Sequence, residues 1–164
     1  MSKALERVKN KIFNKNNLLE KLEIWRGAKK KIVFTNGCFD IIHSGHIHLL
    51  KEAKKMGDKL IVGLNSDTSV KKIKGLDRPV NSQENRLTVL KAIKFVDEVI
   101  IFEETDPLNL IKEIKPDILV KGSDYSIDKV IGNDFVNSYG GKVVLIDLIP
   151  NQSSTRIINE IINS

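Results

Sequence analysis

Five short β-branched runs, at Lys31–Thr35, Lys59–Leu64, Glu98–Phe102, Asp117–Val120 and Lys142–Ile146, are separated by segments whose apolar residues recur at helical spacing. The runs are apolar along nearly their whole length, so neither face of such strands suits water. Strands of this kind, alternating with helices, make a parallel sheet covered on both faces. At 164 residues the chain holds one compact core and is short for two. The expected fold is a single doubly wound α/β domain built on a five-stranded parallel sheet.

The helical segments carry their own punctuation. One covers about 46–56 and ends at Gly57, and another covers 82–95, opened by Asn81 with Glu84 three residues on, a capping-box arrangement. A third opens at Asp106-Pro107, a fourth runs over about 128–139 into Gly140-Gly141, and the last covers about 154–163. Ahead of the first strand, Leu18, Leu19, Leu22 and Trp25 predict one or two helices over 2–27, capped at Asn16 or Asn17, stopped at Gly27 and packed on the domain behind them. The chain therefore divides into a basic helical N-terminal extension, 1–30, and a patterned domain, 31–164.

Charge follows the same division. Residues 1–31 hold ten Lys/Arg against three acids, whereas the remaining 133 hold 17 basic and 18 acidic groups. An excess confined to a leader is that of solvated helices rather than of a reading surface, and no aromatic–basic interleaving marks a single-strand platform, so no nucleic-acid partner is expected. No apolar run approaches the roughly 18–20 residues of a membrane span, and no signal peptide opens the chain. The lone Cys38 has no internal disulfide partner, which fits a reducing compartment. The expectation is a cytoplasmic protein with no membrane partner.

In doubly wound sheets, ligands bind beyond the carboxyl ends of the strands, where strand order reverses. The loop after the first strand reads Thr35-Asn36-Gly37-Cys38-Phe39-Asp40-Ile41-Ile42-His43-Ser44-Gly45-His46. It holds neither G-x-G-x-x-G nor a P-loop, so the chain is Rossmann-like in its winding but not in a dinucleotide loop. His-Ser-Gly-His enters a helix, whose N-terminal amides and partial positive charge suit phosphate. Gly45 clears space for a ligand, and two imidazoles three residues apart can donate to its oxygens. A glycine between them at a strand-to-helix turn fits poorly with simple core histidines. His43, His46 and His48 are the chain's three histidines, and no further ligand accompanies them, so no metal site is expected. His48 is read as a helix-face residue.

After the second strand, Lys71, Lys72, Lys74 and Arg78 lie in what reads as a loop with Gly75 and Pro79. A solvated basic loop is the plain alternative, but its place at the ligand end of the sheet favours phosphate binding, with Lys74 foremost. After the fourth strand, Lys121-Gly122-Ser123-Asp124-Tyr125 offers a glycine for close approach and polar groups for a base or sugar. Arg86 and Asp97 are read as structural or as interface residues.

With His43-Ser44-Gly45-His46 and the turn Gln152-Ser153-Ser154-Thr155-Arg156, the sequence resembles the cytidylyltransferase-like nucleotidyltransferases, whose hallmarks are H-x-G-H and a Ser/Thr-rich turn at the last helix. From Ile32 to Ile158 it looks most like the adenylyltransferases of the ADP-heptose pathway, through Thr35–Asp40, Lys74-Gly75-x-x-Arg78-Pro79-x-Asn81, Lys121-Gly122-x-Asp124-Tyr125 and Gly140-Gly141-Lys142. The approach Asn151-Gln152 departs from that family's Gly- and Tyr-containing one. The resemblance implies transfer of AMP from ATP, with Mg2+, to D-glycero-D-manno-heptose 1-phosphate, giving ADP-heptose and pyrophosphate. It implies His43, His46 and Lys74 as catalytic. Thr35, Asn36, Gly37, Phe39, Gly45, Lys121, Gly122, Asp124, Ser153, Ser154 and Thr155 would bind nucleotide, and Asp40, Asn65, Lys71, Arg78 and Tyr125 the sugar phosphate. It further implies a homodimer or higher homo-oligomer. With about thirty residues before the domain, a stand-alone version served by a separate sugar kinase is expected.

The chemistry agrees with such residues. A phosphate acceptor already carries its attacking anion, so no general base is needed and catalysis reduces to positioning and charge neutralisation. Two other readings remain open: a cytidylyltransferase acting on glycerol 3-phosphate or ethanolamine phosphate, and a non-catalytic nucleotide sensor.

Overall fold

The computed structural model describes residues 15–124, 126–150 and 152–163. Strands β1 (Ile32–Gly37), β2 (Lys59–Asn65), β3 (Glu98–Phe102), β4 (Ile118–Gly122) and β5 (Lys142–Ile146) form one parallel sheet in the order β3-β2-β1-β4-β5. Around them lie α1 (Lys15–Gly27), α2 (Ser44–Lys55), α3 (Asp67–Lys74), α4 (Gln83–Ala92), α5 (Leu108–Ile114), α6 (Asn133–Ser138) and α7 (Ser154–Ile162).

Period-two alternation along the strands builds two cores. Ile32 and Phe34 of β1, Ile61 of β2, Ile100 of β3 and Leu119 of β4 meet Leu18 and Leu22 of α1, Ile111 of α5 and Val136 of α6. Val33, Leu60, Val62, Val99, Ile118 and Val120 point the other way, onto Leu50 and Ala53 of α2 and Leu90 of α4. The connection through α5 thus changes sides of the sheet, and β4 lands beside β1 rather than beside β3. That is the reversal point of a doubly wound sheet.

Register makes the reversal a gap. β1 stays paired with β2 out to Gly37↔Leu64, but with β4 it pairs at Val33↔Ile118 and Phe34↔Leu119. Beyond Phe34 the two strands diverge. Both run further than their sequence patterns indicate, so Asn36, Gly37, Lys121 and Gly122 stand on strand ends rather than in loops. Pairing of β1 with β2 and of β4 with β5 through Gly122↔Ile146 extends them, a tertiary effect that a local pattern does not carry.

Arg86 of α4 ties the loops at this end together and is 1% exposed. It donates to the carbonyls of Asn81, Cys38 and Asn65 and to Asp67 Oδ1 at 2.7 Å, so its reading as structural holds. Asp97 is likewise engaged within the chain, accepting from Leu60 N and Lys54 Nζ.

Three local expectations are corrected. Lys71, Lys72 and Lys74 lie in the helix α3, capped by Ser66, not in a loop; at eight residues the helix is about two turns, too short for a periodic pattern to stand out. Helix α4 is capped by Ser82, because Asn81 is bonded to Asp40 instead. The segment 128–139 is broken into a 3-10 turn at Ile127–Lys129 and α6, with Gly132 between them at φ 92°, a left-handed conformation that glycine permits. Residues 2–14 of the predicted leader helices lie outside the described residues. In α1, Asn16 and Asn17 are inside the helix rather than capping it.

Helix α1 packs on the domain through fully buried Leu22, a Lys21–Glu98 ion pair and Trp25, over whose ring Lys59 sits at 5.1 Å. Leu22→Ala is expected to lower stability by about 2–5 kcal/mol in urea unfolding with an unchanged m-value; a loss near zero would show that α1 only rests on the surface.

Candidate active site

The end of β1 turns into α2 through a loop that the carboxylate of Asp40 organises. It is 3% exposed and accepts from Arg78 Nε at 2.8 Å, Val80 N at 2.9 Å and Asn81 N at 2.9 Å. Burial opposes its ionisation, but the amides of Asn81 and Val80 and the Arg78 guanidinium hold the carboxyl below its usual range. With its oxygens so occupied, Asp40 shapes the segment that presents Arg78. Arg78 also reaches Thr155 Oγ1 at 3.5 Å, which links this segment to α7.

The two histidines stack at the start of α2, ring centroids 3.9 Å apart and planes at 30°, with Phe39 against His46 at 5.1 Å. The His43 amide donates to His46 Nδ1 at 3.4 Å, so a neutral His46 carries its proton on Nε2. Burial, and then the neighbouring His43, push His46 down to about 4, and burial lowers His43 as well. Both shifts favour the neutral imidazoles at pH 7, and the charge of an anionic ligand would oppose them. Two buried polar atoms here lack a hydrogen-bond partner, His43 Nδ1 and Thr35 Oγ1. Each leaves a cost of about 1–3 kcal/mol that a polar ligand would offset.

The C-terminal motif meets this loop directly. Ser154 Oγ donates to the Ile41 carbonyl at 2.9 Å, and a Cβ on Gly45 would meet the His43 ring at 3.0 Å and Gln152 Cβ at 3.2 Å. Gly45 is therefore needed for the two motifs to close on each other. Ser153 caps α7 by accepting from Arg156 N at 3.0 Å, which leaves its hydroxyl proton for a ligand. The N-termini of α2 and α7 consequently lie side by side.

Across the gap, Lys121 Nζ donates to Asn36 Oδ1 and lies 3.4 Å from the Asn36 carbonyl. Burial lowers this ammonium to about 8, against the pull of Asp124 and Cys38. Gly122 lets Asp124 Oδ1 and Leu148 close in, each 2.8 Å from where a Cβ would stand. Burial pushes the Cys38 thiol up, while the charges of Lys74, Arg86 and Arg78 act on it from around the β1 loop. Cations thus converge on this end of the sheet.

The remaining predicted residues stand at its rim or serve the frame. Lys71 is exposed on α3, and Asn65 Nδ2 is bonded to Ser69 Oγ. Tyr125 lies outside the described residues. Sequence reasoning missed Asn81 and Gln152 as parts of this assembly; the Arg78-Pro79-x-Asn81 spacing was visible, but nothing local says that Asn81 brackets Asp40. Among the described residues, no cluster of three His, Cys, Asp or Glu could hold a metal ion, and no helix is long and apolar enough to cross a membrane.

Comparison with known proteins matches residues 34–160 to the cytidylyltransferase-like family model. The chain belongs to the cytidylyltransferase-like family. This cytidylyltransferase-like chain is 57% identical over 145 residues to the bifunctional protein HldE of Campylobacter fetus, covering 88% of this chain and 31% of that protein. With the bifunctional protein HldE of Gluconobacter oxydans it shares 53% identity over 137 residues, 84% of this chain and 29% of the relative. The chain thus spans about a third of the length of these curated relatives. A lipopolysaccharide core biosynthesis protein of Thermoplasma volcanium superposes with a TM-score of 0.62 at 32% identity, over 75% of this chain and 99% of that one. The family match spans both the His43–His46 turn and the Ser153–Thr155 turn.

Gly45→Ala is expected to leave the fold intact yet lower turnover by about tenfold or more, by displacing His43 and Gln152; wild-type turnover in a folded variant would remove Gly45 from the site's requirements. A pH effect follows from His46. The unfolded chain takes up a proton near pH 6.5 that folded His46 refuses until about pH 4, so stability should fall as pH drops through that window. Urea unfolding of wild type and His46→Gln should show a shallower slope in the variant, and parallel profiles would exclude His46 as its source.

Proposed function

We propose that the protein is an adenylyltransferase that transfers AMP from ATP to D-glycero-D-manno-heptose 1-phosphate, releasing pyrophosphate and forming ADP-heptose. The observation that carries this reading is the meeting, at the β1–β4 gap, of two motifs about 110 residues apart, with His43 Nδ1 and Thr35 Oγ1 buried beside them without partners. Two helix N-termini, two imidazoles and a ring of cations suit a triphosphate and a second phosphate. The choice of acceptor rests on the likeness of Thr35–Asp40, Lys74–Asn81 and Lys121–Asp124 to heptose adenylyltransferases. The structural relative named for lipopolysaccharide core biosynthesis supports a sugar acceptor.

ATP enters as its Mg2+ complex, the ion carried by the phosphate oxygens, where it screens their charge. His43, His46 and the first turns of α2 and α7 hold the triphosphate, and Lys74 and Arg78 add charge at the rim. An acceptor phosphate oxygen, already anionic, attacks the α-phosphorus. The bond to the bridging oxygen breaks, and its electron pair leaves with pyrophosphate. His46 Nε2–H donates to the phosphoryl oxygens as their charge grows, and no side chain needs to remove a proton.

The test is pyrophosphate release with ATP or CTP against both anomers of heptose 1-phosphate, glycerol 3-phosphate and ethanolamine phosphate. Release with ATP and one heptose anomer is expected, and His43→Ala or His46→Ala should each cut kcat by about 10²–10³-fold. Turnover confined to CTP and another acceptor would overturn the substrate assignment. Nucleotide binding without any turnover would overturn the enzyme itself.

A further inference from the structure

The alternation of β1 and β4 places Asn36 and Lys121 on the face of the sheet opposite α2. Phe34 and Leu119 belong to the core under α1, α5 and α6, and Asn36 and Lys121 follow each by two residues. Gly63 confirms the side, since a Cβ there would meet the Phe34 ring at 2.8 Å, Asn36 Cβ at 3.1 Å and Leu110 at 3.2 Å. The elements suited to the triphosphate belong to the other side, where α2 packs with α4 on Val33 and Val62 and where α7 joins the α2 loop through Ser154.

In-line displacement at phosphorus puts the attacking and leaving oxygens on opposite sides of the α-phosphate. With pyrophosphate leaving toward the α2 and α7 N-termini, the attacking oxygen must come from the opposite face. On that face Lys121 spans the β1–β4 gap to Asn36. Two phosphates of like charge must also be brought into contact, which requires a cation where they meet. A lysine at a strand end, anchored by Asn36 and flanked by Asp124, meets that demand.

We propose that Lys121 is the specificity-determining contact for the acceptor phosphate, guiding it across the β1–β4 gap onto the α-phosphorus from the face opposite the triphosphate site. The proposal rests on the transfer reaction proposed above and moves Lys121 from the nucleotide to the acceptor. Asn36 is its positioning residue. The groups facing the ammonium include Asn36 from β1, Asp124 from the turn after β4 and Cys38 from the β1 loop.

Lys121→Met keeps the length of the side chain and removes its charge. It should bind a non-hydrolysable ATP analogue with wild-type affinity in calorimetry, while KM for heptose 1-phosphate rises roughly 10–100-fold, the worth of one charge-assisted hydrogen bond. Lys121→Arg should recover part of that loss. In wild type, KM for the acceptor should rise above about pH 8, where the ammonium deprotonates, with nucleotide affinity unchanged. An equal loss of nucleotide affinity, or an unchanged acceptor KM, would overturn the proposal. Inorganic phosphate provides an arm independent of the sugar: it should bind analogue-saturated wild type more tightly than Lys121→Met. If no heptose phosphate turns over while this phosphate difference persists, the substrate assignment fails and the role of Lys121 stands. If phosphate binds both proteins alike, the role of Lys121 fails.

Discussion

β1 and β4 are hydrogen-bonded neighbours only as far as Phe34 and Leu119, and the candidate site gathers where they part. The parting follows from the winding. Connections from β1 to β2 and on to β3 build outward in one direction, and α5 then crosses to the opposite face so that β4 starts again beside β1. Helices leave the sheet on opposite faces from these two adjacent strands, so their carboxyl ends separate and a crevice opens between them. A sheet wound in one direction throughout would have no such gap.

The crevice is costly to build, because it gathers positive charge and unsatisfied polar atoms at the edge of a dry core. The protein meets that cost with carboxylates and carbonyls placed just behind the cations. Asp40 accepts three donors to fix the Arg78 segment, and Asp67 with three backbone carbonyls fixes Arg86. These groups are engaged within the fold and so act as framework. The histidines are the reverse case: partly exposed and pushed toward the neutral form by the burial of their rings, they carry no charge for the frame to compensate. The arrangement holds the frame rigid and leaves the ligand-facing groups responsive.

Much of this was legible in the chain. The five strand runs match β1 to β5 to within two or three residues, since near-continuous β-branched runs have few other ways to bury themselves. The family resemblance matched as well, because H-x-G-H and the Ser/Thr turn are contiguous motifs whose chemistry is local. What escaped was of another kind. Helix α3 was hidden by its shortness, and the segment after β4 was read as one helix because the conformation of Gly132 does not show in apolar spacing.

Residue types, strand periodicity and the two glycine- and hydroxyl-bearing turns were determined by the sequence itself: a parallel α/β sheet with one end whose turns suit phosphate. Which groups face one another there was decided only by tertiary structure. Asp40 reads as a ligand contact but is consumed by Arg78, Val80 and Asn81, about forty residues away. Gln152 rests against Gly45, more than a hundred residues earlier in the chain. Lys121 stands on the opposite face from the histidines, because strand parity fixes the side only once register with β1 is known. Local pattern reports what a residue is suited to, whereas hydrogen-bond saturation and facing depend on partners distant in sequence that folding alone brings together.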